Sequence, residues 1–263
     1  MDKLKKLKGI LRKCGSILIA YSGGIDSTLL LKVAADCLGN KVLAVTATSL
    51  TYPTEELISA KRLAAKLKVR HQVIKTKELN NPDFYRNSIK RCYFCKRELF
   101  RRLRGIARKN KIRCVADASN FSDKKDFRPG NQAKKEFRIC SPLEEAGFTK
   151  DEVRSLSRRL KIQIWDKPSL ACLASRLPYG TKITAVVLRQ IHEAEKFLRK
   201  LKFREVRVRH YGDLCRIEVG SAEIPRLIKR RRQVVRNFKR CGYRYVTMDL
   251  EGYRSGSMNL LKT

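Results

Sequence analysis

Apolar positions in the first two-thirds of the chain come as short blocks separated by longer amphipathic stretches. Residues 16–21 (SILIAY) are an apolar run between Gly15 and Gly23, the pattern of a buried strand. Residues 27–37 read as a helix with Leu29, Leu30, Val33 and Ala34 on its inner face, stopped by Gly39-Asn40. Residues 41–47 (KVLAVTA) predict a second strand, and residues 54–67 a helix opened by Pro53-Thr54 with acids in its first turn. A third strand at 69–74, a basic helix at 95–109 and a fourth strand at 112–116 continue the alternation. Thr149-Lys150-Asp151-Glu152 has the spacing of a capping box that opens a helix to about Leu160. Strands alternating with helices predict an α/β fold: an open parallel sheet with helices on both faces.

The pattern changes after Pro178-Tyr179-Gly180. A helix at 184–200, alternating strands at 205–209 and 214–219, a helix at 222–239 and a strand at 243–250 suit a smaller α+β domain. The expected organisation is therefore residues 1–180 as the first domain and 181–263 as the second.

Composition narrows the class. Of 263 residues, 43% are hydrophobic, too many for a disordered chain. No run approaches the length of a membrane helix, and the charged N-terminal segment has no uninterrupted apolar core of an export signal. Nine cysteines without such a signal point to reduced thiols and a cytoplasmic location. The net charge of +36 raises the question of a polyanionic partner. The excess is spread along the chain; the one dense cluster, Arg86 to Arg113, holds twelve basic residues against Glu98. That cluster reads either as a solvated helix face or as a surface for nucleic acid or an anionic substrate.

The sharpest motif is Ser22-Gly23-Gly24-Ile25-Asp26-Ser27, between the first strand and the first of these helices. The glycines allow positive φ and a close backbone approach, and the helix start offers N–H groups and its positive dipole end to an anion. Ser22 and Ser27 add hydroxyls, while Asp26 suits a magnesium ion or loop orientation better than direct phosphate contact. No lysine follows the glycines, so this is not the GxxxxGK[ST] loop. In isolation the motif could be a plain turn; its place between strand and helix points to a nucleotide.

The loop after SILIAY resembles the pyrophosphate loop of the N-type ATP pyrophosphatases. That resemblance implies ATP bound at Ser22, Gly23, Gly24, Asp26 and Ser27, with Mg2+ at Asp26 and adenine near the end of the second strand, at Thr48. Asp117-Ala118-Ser119-Asn120 and Asp123 follow the fourth strand, where open α/β sheets bind ligands; Asn120 and Asp123 are expected at the nucleotide. Further segments are Asp126-Phe127-Arg128-Pro129-Gly130, Trp165-Asp166-Lys167-Pro168-Ser169, Ala171-Cys172-Leu173-Ala174-Ser175-Arg176 and Met248-Asp249-Leu250-Glu251-Gly252-Tyr253-Arg254, with Gly256-Ser257 and Asn259. Together they resemble, over nearly the whole chain, the LarE-type ATP-dependent sulfur transferases that mature the nickel-pincer nucleotide of lactate racemase.

The resemblance implies a chemistry. ATP adenylates a carboxylate on the ring of a pyridinium mononucleotide, pyrophosphate leaves, and protein-borne sulfur displaces AMP to give a thiocarboxylate. Thiolate or sulfide is a strong nucleophile near neutral pH. Cys172 matches the family's sulfur-bearing region. In some members a cysteine there surrenders its own sulfur and becomes dehydroalanine. In others three cysteines hold a 4Fe–4S cluster with one iron open to an extra sulfide, as in related tRNA thiolases, and Cys92-Tyr93-Phe94-Cys95 with Cys172 suits that reading. A structural zinc site, a redox pair, or cysteines that merely start a helix remain alternatives. The other six cysteines read as core fillers.

Arg176, Arg207 and Arg209 are expected at a substrate phosphate, which an arginine fork grips through two oxygens. Solvent-facing strand arginines are the plainer reading of Arg207 and Arg209. Glu195 is a possible partner or an exposed salt-bridging residue. The partners expected are a small nucleotide, a sulfide source and further copies of the chain, with no membrane. The competing functions are a tRNA-thiolating enzyme, favoured by the basic charge, and a ligase that handles no sulfur, in which Cys92, Cys95 and Cys172 would have no role.

Overall fold

The computed structural model describes residues 2–125, 129–168, 171–254 and 256–259. Asp126, Phe127, Arg128 and Ser169, each part of a segment singled out above, lie outside the described residues. The chain divides into two units: residues 1–84 with 89–170, and residues 85–88 with 171–263. The division falls before Ala171, where the sequence pattern suggested a boundary near 180, so Cys172 and Arg176 belong to the second unit.

In the first unit the elements are α1 (Lys3–Cys14), β1 (Ile17–Ala20), α2 (Ile25–Leu38), β2 (Val42–Thr48), α3 (Thr54–Lys66) and β3 (Arg70–Lys75). A single turn α4 (Pro82–Tyr85) leads to α5 (Arg91–Lys109), β4 (Cys114–Ala116), α6 (Gly130–Glu136), the turn α7 (Pro142–Glu145) and α8 (Lys150–Arg159). The sheet is parallel throughout, in the order β3-β2-β1-β4. Alternation along β1 sorts its side chains by face. Ile17 and Ile19 join Leu7 and Leu11 of α1, Leu29, Leu30, Val33 and Ala34 of α2 and Val153 of α8. Leu18 joins Phe100 and Leu103 of α5 on the other side. Both faces are thus covered, as the apolar runs predicted.

Helix α1 was not expected. Its signal is present, since Leu7, Leu11 and Cys14 are buried at helical spacing, but five lysines among twelve residues obscure the stripe. α5 also begins earlier than the pattern suggested, at Arg91, which places both Cys92 and Cys95 within the helix, near its start. The capping box at Thr149 forms as predicted, with both reciprocal hydrogen bonds.

The second unit holds α9 (Ala185–Lys200), the antiparallel pair β5 (Val206–Tyr211) and β6 (Leu214–Val219), then α10 (Ile224–Lys229), α11 (Arg231–Arg240) and β7 (Tyr245–Met248). β7 pairs parallel to β6, giving the order β5-β6-β7. Ala194, Leu198, Val206, Val208, Ile217 and Phe238 form its core. The helix predicted over 222–239 is interrupted at Arg230. The break falls in the run Lys229–Arg232, where like charges one turn apart disfavour a continuous helix. No described helix is long and apolar enough to cross a membrane.

Candidate active site

The strand order reverses beside β1: β2 and β3 lie on one side of it and β4 on the other. Ligands bind at the carboxyl ends of strands at such a switch point, and the loops after β1 and β4 carry the singled-out residues. Gly23 has φ +67°, and a Cβ there would stand 2.8 Å from Cβ of Ala60 on α3. Gly24 caps α2 without a side chain. The loop is knitted by its own hydroxyls. Ser27 Oγ and Thr28 Oγ1 donate to the Gly24 carbonyl at 3.1 and 2.8 Å, Ser22 Oγ lies 3.1 Å from Ser27 Oγ, and Gly24 N–H donates to Ser22 Oγ. From the loop after β2, Tyr52 donates its hydroxyl to the Ser22 carbonyl at 2.5 Å; burial and the nearby Glu56 push its pKa up and keep it a donor. The opening N–H groups of α2 have no partner within the helix. They stand at a cavity of about 140 Å³ lined by Ser22, Gly24, Asp26, Tyr52, Lys150 and Lys167 among others.

Replacing Gly23 by alanine should therefore do two things. The positive φ and the Ala60 contact should lower stability by about 1–3 kcal/mol. The loop should also shift from the nucleotide, raising KM for ATP. Urea unfolding and ATP titration of the variant check both.

Asp26 sits at the centre of a network that sequence reasoning assembled only in part. Its Oδ1 accepts from Asn120 Nδ2 at 3.0 Å, and its Oδ2 is bound by the Lys150 ammonium. Asn120 is 3% exposed, and its backbone N–H donates to Asp123 Oδ2 at 3.0 Å. So the structure brings Asp26, Asn120 and Asp123 together, though 94 residues separate the first two. Lys150, Lys167, Glu56 and Tyr52 were missed: a capping box, a polar loop and a first-turn acid have ordinary structural explanations. Thr48 ends β2, where its carbonyl accepts from Thr76 N–H at 3.0 Å, and does not line this cavity. For magnesium the donor set fits. Asp26 is a hard oxygen ligand, and its Oδ2 already holds a positive charge.

Cys92 and Cys95 lie three residues apart on α5, hence on one helix face. Cys92 and Cys172 are exposed. The other cysteines contrast with them. Burial pushes Cys14 and Cys215 up to about 12 and raises Cys140 and Cys241, which disfavours the thiolate in these four, and Cys37 and Cys114 pack half-buried against the apolar core. Exposed thiols as soft donors suit iron and sulfide. Among the described residues, however, no group of three or more histidine, cysteine, aspartate or glutamate side chains is arranged to hold a metal ion.

In the second unit Cys172 precedes a 3-10 turn (Leu173–Arg176) and accepts Ser175 N–H at 2.9 Å through its carbonyl. Arg176 is fully buried. Its Nε and Nη2 grip Glu195 at 2.8 and 3.0 Å, and its Nη1 donates to the carbonyls of Ala171 and Cys172 at 2.7 and 3.0 Å. Glu195, also fully buried, takes Arg199 and the backbone N–H of Val208 as well. Burial raises its pKa, but Arg176, Arg199 and Arg207 more than offset this and hold the carboxyl below its ordinary value. Arg209 is paired in both fork positions with buried Glu218 at 2.8 and 2.7 Å. Arg207 lies over the Tyr253 ring, 4.8 Å from its centroid, and donates to the Val206 carbonyl at 2.8 Å. Burial, with Arg176 and Arg209 nearby, pushes its pKa down to about 10. The solvent-facing alternative for Arg207 and Arg209 is thus overturned, with exposures of 6% and 5%, and Glu195 is no surface residue.

Comparison with known proteins adds an independent line. Residues 11–93, which include the glycine loop, match the asparagine synthase family model. An uncharacterized protein of Synechocystis sp. is 42% identical over all of this chain and 98% of its own length. A Lactiplantibacillus plantarum protein, pyridinium-3,5-bisthiocarboxylic acid mononucleotide synthase, is 39% identical over 98% of this chain and 94% of its own. An uncharacterized protein of Methanocaldococcus jannaschii is 33% identical over 97% and 98%. With the glycine loop at the switch point of a parallel sheet and such identity maintained through both units, the chain belongs to the LarE-type family of PP-loop ATP-dependent sulfur transferases.

Proposed function

We propose that this protein activates a ring carboxylate of a pyridinium mononucleotide with ATP and converts it to a thiocarboxylate, a step in making the nickel-pincer nucleotide. The observation that carries the reading is the 39% identity, over 98% of the chain, to pyridinium-3,5-bisthiocarboxylic acid mononucleotide synthase. The site chemistry is consistent with it. The start of α2 and the hydroxyls of Ser22 and Ser27 receive the polyphosphate. A magnesium ion on Asp26 would neutralise charge on the phosphates as they leave. The carboxylate oxygen attacks the α-phosphorus, the bond to the β-phosphate breaks, and pyrophosphate departs. A bare carboxylate is a poor electrophile; the acyl-adenylate has AMP as leaving group.

Sulfur then forms a bond to the carboxyl carbon, the bond to AMP breaks, and the thiocarboxylate retains the sulfur. In one route Cys92, Cys95 and Cys172 would hold a 4Fe–4S cluster, whose chemistry would be to make a sulfide available as the nucleophile. In the other route Cys172 attacks as thiolate and displaces AMP to form a thioester; loss of its Cα proton to a base then breaks the Cβ–S bond, leaving the sulfur on the thiocarboxylate and dehydroalanine at position 172. Arg207, buried and with its pKa depressed beside two further arginines, suits a bound phosphate, whose negative charge would relieve that crowding. Arg176 and Arg209, each committed to a buried glutamate, set the walls of that site.

Incubation of anaerobically prepared protein with ATP, magnesium and the dicarboxylated pyridinium mononucleotide should release one pyrophosphate for each thiocarboxylate formed. Pyrophosphate release independent of that acceptor, or none at all, would refute the assignment. Iron and acid-labile sulfide in the same preparation decide between the two sulfur sources.

A further inference from the structure

The glycine loop carries no lysine of its own, yet two lysines from distant segments stand at its cavity. Lys150 comes from the first turn of α8 and Lys167 from beyond its end, and both line the cavity with Ser22, Gly24 and Asp26. Each is tied to a carboxylate of that same cavity: Lys150 to Asp26, and Lys167 to Glu56 at 2.6 Å. All four side chains are partly open to solvent, between 14% and 24% exposed. Both pairs therefore stay within reach of a ligand that enters the cavity. A lysine stem is also flexible enough to move its ammonium between neighbouring acceptors.

We propose that Lys150 and Lys167 bind the polyphosphate tail of the nucleotide, exchanging Asp26 and Glu56 for phosphate oxygens when it enters. This rests on the ATP-dependent reading above. Two carboxylates facing a polyphosphate would repel it unless cations intervene, and these lysines are the cavity's own cations. A polyphosphate offers more charge and more acceptor oxygens than a single carboxylate, so the exchange favours the ligand. It also leaves the Asp26 and Glu56 carboxylates as hard oxygen ligands for a divalent cation that accompanies ATP. The helix start supplies the backbone donors, and the lysines supply the charge that the missing loop lysine provides elsewhere.

The test uses inorganic pyrophosphate and AMP as separate probes, with divalent cations chelated, in calorimetric titrations of the full chain. Lys150→Met and Lys167→Met should each weaken pyrophosphate binding by roughly tenfold or more while leaving AMP binding and the melting temperature nearly unchanged. Asp26→Asn frees Lys150 without removing it, so its metal-free pyrophosphate binding should equal or exceed that of the wild type. Lysine variants that bind pyrophosphate like the wild type overturn the proposal. So does Asp26→Asn weakening pyrophosphate as much as Lys150→Met, because Lys150 would then act only by holding Asp26. A wild-type protein that binds neither probe overturns this inference together with the ATP reading, whereas normal ATP turnover in both lysine variants overturns this inference alone.

Discussion

Cys172→Ala should abolish thiocarboxylate formation, with a loss of about 10³-fold or more, the scale on which removal of a group that forms the new bond acts. The same variant should still release pyrophosphate in a single turnover, because adenylation needs the loop at α2 and no thiol. The residue's surroundings favour this split. Cys172 is exposed, and its backbone carbonyl is pinned by Arg176 at 3.0 Å, so alanine can occupy the position without repacking. Mass spectrometry of wild-type protein after turnover then identifies the sulfur. A loss of about 34 Da, hydrogen sulfide, marks Cys172 as the donor atom. Unchanged mass, bound iron and equal loss of product in Cys92→Ala mark a cluster. Thiocarboxylate formed by Cys172→Ala at the wild-type rate would exclude both routes.

What the sequence disclosed, and what it hid, follows from the range of each signal. SILIAY-SGGIDS was legible because strand, positive-φ glycine and helix start are encoded within a dozen consecutive residues. The capping box at Thr149 is local in the same way. The interrupted helix at Arg230 and the basic α1 were missed because charge repulsion and a narrow apolar stripe compete with periodicity in lysine- and arginine-rich segments. The Asp26–Lys150 pair spans 124 residues, and nothing about Lys150 in sequence separates it from sixty other basic residues. Arg207 and Arg209 show the opposite failure. Alternation along β5 suggests every second residue faces water, yet both are buried, because Tyr253 and Ser257 from the segment after β7 close over them. Tertiary cover of one sheet face is not written in the strand that it covers.

Glu195→Ala should be the most destabilising single change in the second unit, by about 3–5 kcal/mol, because removing one member of a buried ion pair strands the other. Arg176 has no solvent-facing alternative, and the backbone N–H of Val208 loses its acceptor too. Glu195→Gln keeps the shape and one acceptor oxygen, so it should fall between alanine and wild type. The pH dependence has a definite sign. The folded carboxyl lies below its ordinary 4.5, so its stabilisation is complete above that value and is lost as pH falls through the lower folded value. Wild-type protein should thus lose stability on acidification through that window, and the alanine variant should lose less. Urea unfolding of both between neutral pH and pH values well below 4.5 measures the difference; parallel stability curves across that range would place the stabilising charge elsewhere. The effect should reach the chemistry as well, since Arg176 spends its remaining Nη1 on the carbonyls of Ala171 and Cys172. Once Glu195 no longer orients that guanidinium, the segment bearing the thiol loses its anchor. Sulfur transfer should therefore fall in Glu195→Gln even under conditions where the variant is fully folded.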